Sequence, residues 1–494
     1  MKTSTRLVLL VVVCAASWQA QFARAQGATT FVYTNNDRAT NSVSAFSAAA
    51  NGTLSPVPGS PFLTGGNGAA GGFFAVNRIT AAVVKNFLYA ANAGSNTVSA
   101  FSINPATGVL TAVPGSPFAT GGVAGGVGMS LAATPDDKFL VAANGLSMTI
   151  TVFSIAGDGS LGPIAGSPFP SGAVGPLANA RVTADGKFLA LTSAPGNISM
   201  FSIAATGSLT ALPGFPMADP GAAGIDCNCA STQLFVALNG AAVSRVDVFN
   251  IAPTGALSRI PGSPFNGPGS NSNVPVLSPD DSRLFVSNQG NNTVTAFSVA
   301  ANGSLTTVPG SPFLTGVLAP SGMATNQAGT FLYAAAFNNV IRGFSIAPNG
   351  ALTFVPGPLV SNGFPGFGLL SLAVFPAKNC CPEPVIGTAF ATPEVLHPPN
   401  HKFVDVTIDY SVTAPCPNTC VLTVSSDEPV NAKGDGNSSE DWQVIDAHHV
   451  LLRAERSGKG SGRTYTITIT CTNDTNKLSS TKTVTVFVPH DQRN

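Results

Sequence analysis

The sequence predicts an all-β chain: a seven-bladed β-propeller followed by a smaller, Ig-like β-sandwich. Three observations carry that expectation. A strand-like segment of the "SAFS" type returns seven times, with its aromatic residue at Phe46, Phe101, Phe153, Phe201, Phe249, Phe297 and Phe344, about every 50 residues, the length of a propeller blade. The stretch "PGSPF" stands at 58–62, 114–118, 261–265 and 309–313, with altered copies at 165–169, 213–217 and 356–360. Composition then changes near residue 382. Residues 26–382 hold 11 Lys and Arg, 10 Asp and no Glu or His, whereas the remainder holds 13 Asp and Glu and all 5 His.

The chain opens with a segment that reads as a secretory signal peptide, residues 1–25. Lys2 and Arg6 give a basic start, "LVLLVVVCAA" (7–16) an apolar core, and "ARA" (23–25) a small-x-small cleavage site. Cys14 leaves a lipid anchor as an alternative, with Val13 bulky where a small residue is wanted. No later apolar run has membrane-spanning length. The expected location is therefore secreted, periplasmic or at the cell surface. Seven cysteines follow the cleavage site, and in an oxidising compartment an odd count leaves one thiol free or intermolecular.

Residues 26–378 are assigned to the propeller. One unit, 129–169, shows the pattern: "MSLAAT", the turn "PDDK", "FLVAAN", a Gly/Ser/Asn turn, "TITVFSI", "AGDG", then "SLGPIAGSPF". Four short β-favouring runs separated by turn residues make four antiparallel strands, and seven such units make a propeller. "PGSPF" falls at the outermost strand, an edge where proline is tolerated because no N–H is needed. It is expected to end that strand, turn the chain inward, and pack its Phe between blades. The first unit begins at "FVYTNN" (31–36), which matches second strands, so it lacks its innermost strand. The spare run "GLLSLAVFP" (368–376) is expected to supply it and close the ring.

"NCCPEP" (379–384) reads as a hinge. Residues 385–494 then show period-two runs at 403–412, 420–426, 441–455, 464–472 and 481–488, a pattern that fits a β-sandwich. Cys420 and Cys471 lie on strand-like runs and are expected to bridge the sheets, with Cys416 joining Cys380 or Cys381. His397, His401, His448 and His449 are ordinary strand and loop residues rather than metal ligands, since adjacent His448 and His449 face opposite ways on a strand. "DGNSSED" (435–441) does not place its Gly and Glu at the sixth and twelfth positions that a calcium loop requires.

The segment "FLYAANAGSNTVSAFSINPATGVLTAVPGSPF" (87–118) resembles the seven-bladed lactonase-like propellers, which include 6-phosphogluconolactonases and muconate-lactonising enzymes. "YAANAGSNTVS" is also similar to the signature of surface "YVTN" propellers. The likeness covers about 31–376. The C-terminal part resembles bacterial Ig-like modules through "HPPNHKFVDV" (397–406) and 453–469. The lactonase resemblance implies His, Glu and Arg groups at inner-strand ends. Aligning "ADGKF" (184–188) with the family's "PDGKF" turn places Pro176 and Ala178 where its histidines would stand, and the ring has no His or Glu.

Candidate site residues follow from scarcity and recurrence. Charges are rare in the ring, which singles out Arg181, Asp226, Arg245, Asp247 and Arg342. Arg181, Asp226, Arg245 and Asp247 are the catalytic candidates: opening a lactone with water needs a base and an oxyanion donor. Asn36, Asn92, Asn144, Asn239 and Asn288 recur after second strands and read either as a ligand-binding amide ring or as positive-φ turn residues. The Gly-rich pieces 63–74 and 119–128 are inter-blade connectors, because no helix or Lys follows as a phosphate loop requires. "IDCNCAS" (225–231) reads as disulfide or buried thiol, since a metal site needs a second ligand pair.

The function expected first is an exported, monomeric recognition or scaffold protein, whose ring face meets a small molecule, glycan or protein. The alternatives are a hydrolase of a sugar-acid lactone and carbohydrate binding by the sandwich. No cofactor or metal is expected, and the absence of basic excess argues against a nucleic-acid partner. A charged side chain pointing into the ring's funnel would be the observation that favours a site.

Overall fold

The computed structural model describes residues 29–69, 77–364, 371–381, 383–414, 416, 418–429, 441–458, 461–474 and 478–490. The expected signal peptide, part of the first Gly-rich connector, residues 368–370 of the closing run and most of 435–441 lie outside them. Seven sheets form the ring and two form the C-terminal unit.

Blades 2 to 7 each run inner strand to outer strand in sequence order. Their inner strands are Ile79–Ala81, Met129–Ala133, Leu177–Val182, Ala222–Cys227, Ser272–Leu277 and Pro320–Thr325. Blade 1 is built from both ends of the ring. Its inner strand is Ser371–Phe375, which pairs antiparallel with Thr30–Asn35 in the register Phe31↔Phe375 through Asn35↔Ser371. The expected closing strand is therefore in place.

"PGSPF" does more than end a strand. In blade 1 the outermost strand Leu54–Pro56 leaves the ladder, and Phe62–Leu63 rejoins the same third strand, Ser42–Ala48. The intervening turn needs Gly59 at φ 85°, a conformation glycine adopts without steric cost. At the gap, Ala45 C=O accepts the Val57 N–H, and Ala45 N–H donates to Ser60 Oγ at 2.9 Å. The serine thus caps a backbone donor that the excursion would leave unpaired. Ser116, Ser167, Ser263 and Ser311 repeat this contact at 2.8–3.0 Å. Phe62 is half-buried against the seam between blades 1 and 2, as expected for a blade-to-blade contact.

The core is a circle of seams rather than one centre. Between blades 1 and 2, Tyr33, Val43 and Val57 pack against Ile79, Leu88 and Phe101. Between blades 7 and 1, Tyr333 and Ile341 meet Val32, Phe46, Leu372 and Val374. Each strand alternates its side chains between its two neighbouring blades, so both faces are apolar. Tyr33 Oη crosses a seam to donate to Gly108 C=O at 2.9 Å. Gly108 itself sits at φ 72°, and a Cβ there would lie 2.2 Å from the Phe31 ring.

The C-terminal unit has one sheet of Val385–Thr392, Phe403–Thr413, His449–Arg453 and Trp442–Val444, and another of Asn418–Ser426, Gly462–Asn473 and Ser479–Pro489. Labelled A to G in chain order, these are sheets A-B-E-D and C-F-G, the strand order of a constant-type immunoglobulin sandwich. Val406, Ile408, Val450, Leu452, Ile467 and Val486 fill the space between them. The disulfide Cys420–Cys471 corrects the expectation of an inter-sheet bridge. Those residues are directly paired across neighbouring strands of one sheet.

Cys380 and Cys381 fasten the two units. Cys380 bonds to Cys229 in blade 5, and Cys381 bonds to Cys416 in the sandwich. Among the described residues Cys227 is the free cysteine, and it is buried.

Candidate ligand site in the central channel

The inner strands surround a cavity of about 190 Å³. Its walls mix aliphatic and polar groups: Ile79, Leu131, Val182, Val276, Met323 and Val374 come from six different blades, and Thr80, Thr183 and Thr325 stand among them. Among the described residues three charged side chains line it: Arg181, Asp226 and Lys378. Asn77 adds an amide, donating to Asn179 Oδ1 at 3.0 Å, while the buried Asn179 Nδ2 has no partner among the described residues.

Arg181 and Asp226 are brought together although 45 positions separate them. Each lies near the end of its inner strand, in blades 4 and 5. Arg181 Nη2 is 2.7 Å from Asp226 Oδ1, with Arg181 36% exposed and Asp226 6%. Both strands carry a register shift, after Leu177 and after Ala222, and such bulges change which residues face a given side. In blade 4 the extra residue is Ala178, which is buried.

Asp226 is held on all sides. Its Oδ1 also accepts the Cys227 N–H at 2.9 Å, and its Oδ2 accepts the Leu277 N–H of blade 6 at 2.9 Å. The carboxylate in turn raises the pKa of Arg181 further, fixing the guanidinium as a permanent cation. Beside them, burial pushes the Cys227 thiol up, and the Arg181 charge opposes this. Cys227 Sγ–H donates to Val182 C=O at 3.6 Å.

Lys378 reaches the channel from the strap that follows the closing strand. The chain leaves blade 1 at Phe375, pairs Lys378 Nζ with Asp281 of blade 6 at 2.8 Å, and reaches blade 5 at the Cys229–Cys380 bond. Ala377, Lys378, Cys380 and Cys381 all line the cavity. The strap thus crosses the mouth at which the inner strands end. Sequence reasoning passed over Lys378; its place just after the closing strand was the available signal.

The other candidates lie away from the channel. Asn92, Asn144 and Asn288 are buried at the ends of second strands, and their Nδ2 groups donate inside their own blades. Asn92 Nδ2 donates to Thr97 Oγ1 and Ser99 Oγ at 3.1 and 2.7 Å. Asn144 and Asn288 repeat this with Thr149 and Thr151, and with Thr293 and Thr295. Asn36 does the same with Ser42 and Ser44. In the turns that follow, positive φ falls instead on Asp37, Asn96, Met148 and Asn292. Asn239 is one residue out of phase: by register, Leu238 occupies the equivalent place.

The receiving hydroxyl passes the bond across the seam, for Ser99 Oγ donates to Thr64 C=O of blade 1 at 2.7 Å. Arg342 replaces that hydroxyl in blade 7. Its Nε donates to Thr315 C=O at 3.2 Å and its guanidinium covers the Phe354 ring at 4.4 Å. In blade 5 the equivalent residue is Asp247, and the residue facing it across the seam is Asp219. Arg259 Nη2 bridges the two carboxylates at 2.9 Å each, and Ser263 Oγ donates to Asp247 Oδ1 at 2.6 Å. Burial, then the Asp247 carboxylate, pushes Asp219 up to about 7. Arg245, on the same strand, is half-buried, and its backbone N–H donates to Ser272 Oγ at 3.1 Å.

The ring is thus a closed seven-bladed propeller with an ion-paired arginine in its channel. The family "Lactonase, 7-bladed beta-propeller" matches residues 21–175 and 242–355, and the chain belongs to it. Two solved structures share the fold. A Bacteroides fragilis protein proposed as a 6-phosphogluconolactonase is 22% identical, with 71% of this chain and 99% of that one covered at a TM-score of 0.57. The periplasmic gluconolactonase of Pseudomonas aeruginosa is 16% identical, with 70% and 99% covered at 0.54. No curated protein matches the chain. Among the described residues no helix is long and apolar enough to cross a membrane, and three disulfides mark an oxidising compartment.

Proposed function

We propose that the central channel is a lactone site and that this propeller acts there on a sugar-acid lactone. The observation that carries this reading is Arg181, held by Asp226 at 2.7 Å with its outer face in a small cavity lined by both aliphatic and polar groups. A pre-positioned guanidinium donates to a carbonyl oxygen and gains strength as that oxygen becomes negative. Asp226 is the carboxylate that lines the cavity among the described residues. With three donors already on it, its first role is to position Arg181, and turnover is expected to be slow. Family membership supports the hydrolytic side of the reading, as do the names of the two structural relatives. Asp247, engaged with Arg259 in a seam, and Arg245 on the same third strand are not assigned roles in this site.

The test is D-glucono-1,5-lactone with the full mature chain, following acid release at constant pH against the spontaneous rate. Native protein should raise the rate, and Arg181→Met should remove the increase while leaving thermal stability near native. An unchanged rate with native protein would reject hydrolysis.

A recognition role outside the membrane is the second reading. The strap favours it, because neighbouring disulfides from Cys380 and Cys381 tie ring and sandwich together. Such a covalent mount suits a module that presents one ring face. Selective capture of the ring without any lactone effect would support it over the first.

A further inference from the structure

Building on the lactone-site reading, we infer that the channel selects an uncharged, unphosphorylated ligand and discriminates against phosphorylated sugar acids. The inference rests on the charge balance of the wall. Two cations face the cavity, and each already has its own carboxylate. Arg181 is matched by Asp226 at 2.7 Å, and Lys378 by Asp281 at 2.8 Å. At the same end of the ring, Lys138 is paired with Asp136 at 3.0 Å and Lys187 with Asp185 at 3.4 Å. Lys85 Nζ donates to Asp137 C=O at 3.4 Å, where the Asp137 carboxylate takes three N–H groups from residues 83–85. Ring segments 70–76 and 365–370 contain no ionisable side chain, so they cannot alter the balance.

A phosphate monoester carries close to two negative charges near neutral pH. Sites that hold such a group supply unmatched Arg or Lys donors, often in bidentate geometry. A phosphate on the outward N–H groups of Arg181 would bring close to two negative charges beside the 6% exposed Asp226 carboxylate, whose single charge already balances that cation. The rest of the wall, aliphatic residues such as Ile79, Leu131 and Val276 with the neutral Asn77, Thr80, Thr183 and Thr325, offers no further cation, and burying an unpaired charge there is costly. A neutral lactone meets no such penalty. It can take the outward N–H groups of Arg181 without disturbing the pair and lay its carbon skeleton on the aliphatic wall.

The experiment is calorimetric titration of the full mature chain with D-glucono-1,5-lactam, a non-hydrolysing neutral isostere, and with its 6-phosphate. The lactam should bind at least about tenfold more tightly, and its affinity should change less than about twofold between about 50 and about 500 mM salt, as expected without charge recognition. Asp226→Asn keeps the oxygen acceptor but frees the Arg181 charge, so the preference should narrow by about threefold or more. Equal or tighter binding of the 6-phosphate by native protein would overturn the inference while leaving the channel a lactone site. Steep salt dependence of lactam binding would also overturn it, and does not depend on the variant folding. Binding of neither compound would reject the lactone-site reading and this inference with it.

Discussion

Asp219 offers the sharpest test of how the ring is held together. It faces Asp247 across the seam between blades 4 and 5, and both carboxylates are 2% exposed beside the single guanidinium of Arg259. Burial first, then the Asp247 carboxylate, raises Asp219 from 3.8 to about 7. A carboxyl whose folded pKa lies above its unfolded one is bound more tightly to its proton in the fold. Stability is therefore full below about pH 4 and declines as pH rises through about 7. At about 1.4 kcal/mol per pKa unit, the complete penalty is about 4 kcal/mol. Asp219→Asn is close in shape to the protonated acid and keeps an N–H donor for Asp247. It should match native stability near about pH 3.5 and exceed it at about pH 8 by up to about 4 kcal/mol. For a ring spanning Thr30–Phe375, that corresponds to a rise of about 5 °C in Tm. Thermal unfolding of both proteins across this range reads the difference directly. An offset between the two that does not vary with pH would refute the shared-proton account of the seam.

Other expectations follow from particular contacts. Asn92→Ala removes a buried amide with two hydroxyl acceptors and should cost about 2–3 kcal/mol in unfolding titrations without altering lactam binding; a loss of binding at unchanged stability would restore the ligand-ring reading of these asparagines. Ser116→Ala strips the acceptor from the Ala100 N–H and should cost about 1–2 kcal/mol, measured the same way. Replacing Cys229 and Cys380 together by Ser opens a 151-residue loop and should lower stability by about 5 kcal/mol, less if the unfolded chain keeps structure. Alkylation followed by mass spectrometry should label Cys227 alone, and only in denaturant; labelling of the native protein would contradict its burial. Truncation before Ser371 removes the inner strand of blade 1 and should abolish the cooperative thermal transition.

Much of the fold was legible because its signals are local. A period of two with Pro, Gly, Asn and Asp at the turns needs only neighbouring residues to be read. The missing first inner strand and the spare last one could be matched by resemblance to their counterparts. The role of the serine in "PGSPF" was not legible, because its partner is a backbone N–H 15 residues upstream whose need arises only when the strand bulges out. The place of Asn92, Asn144 and Asn288 was not legible for a similar reason. Their hydroxyl partners stand five and seven positions on, but they become neighbours only through cross-strand register.

The chain alone decided the number of blades, the strand that closes them and the scarcity of proton-transfer groups in the ring. These depend on patterns repeated about every 50 residues and on which residue types are present at all. Only the tertiary structure decided which charges meet. Arg181 finds Asp226 because bulged inner strands of adjacent blades end side by side. Lys378 finds Asp281 because the strap must cross the ring to reach Cys229. Those distances are set by closure of the circle, which no stretch of sequence encodes separately.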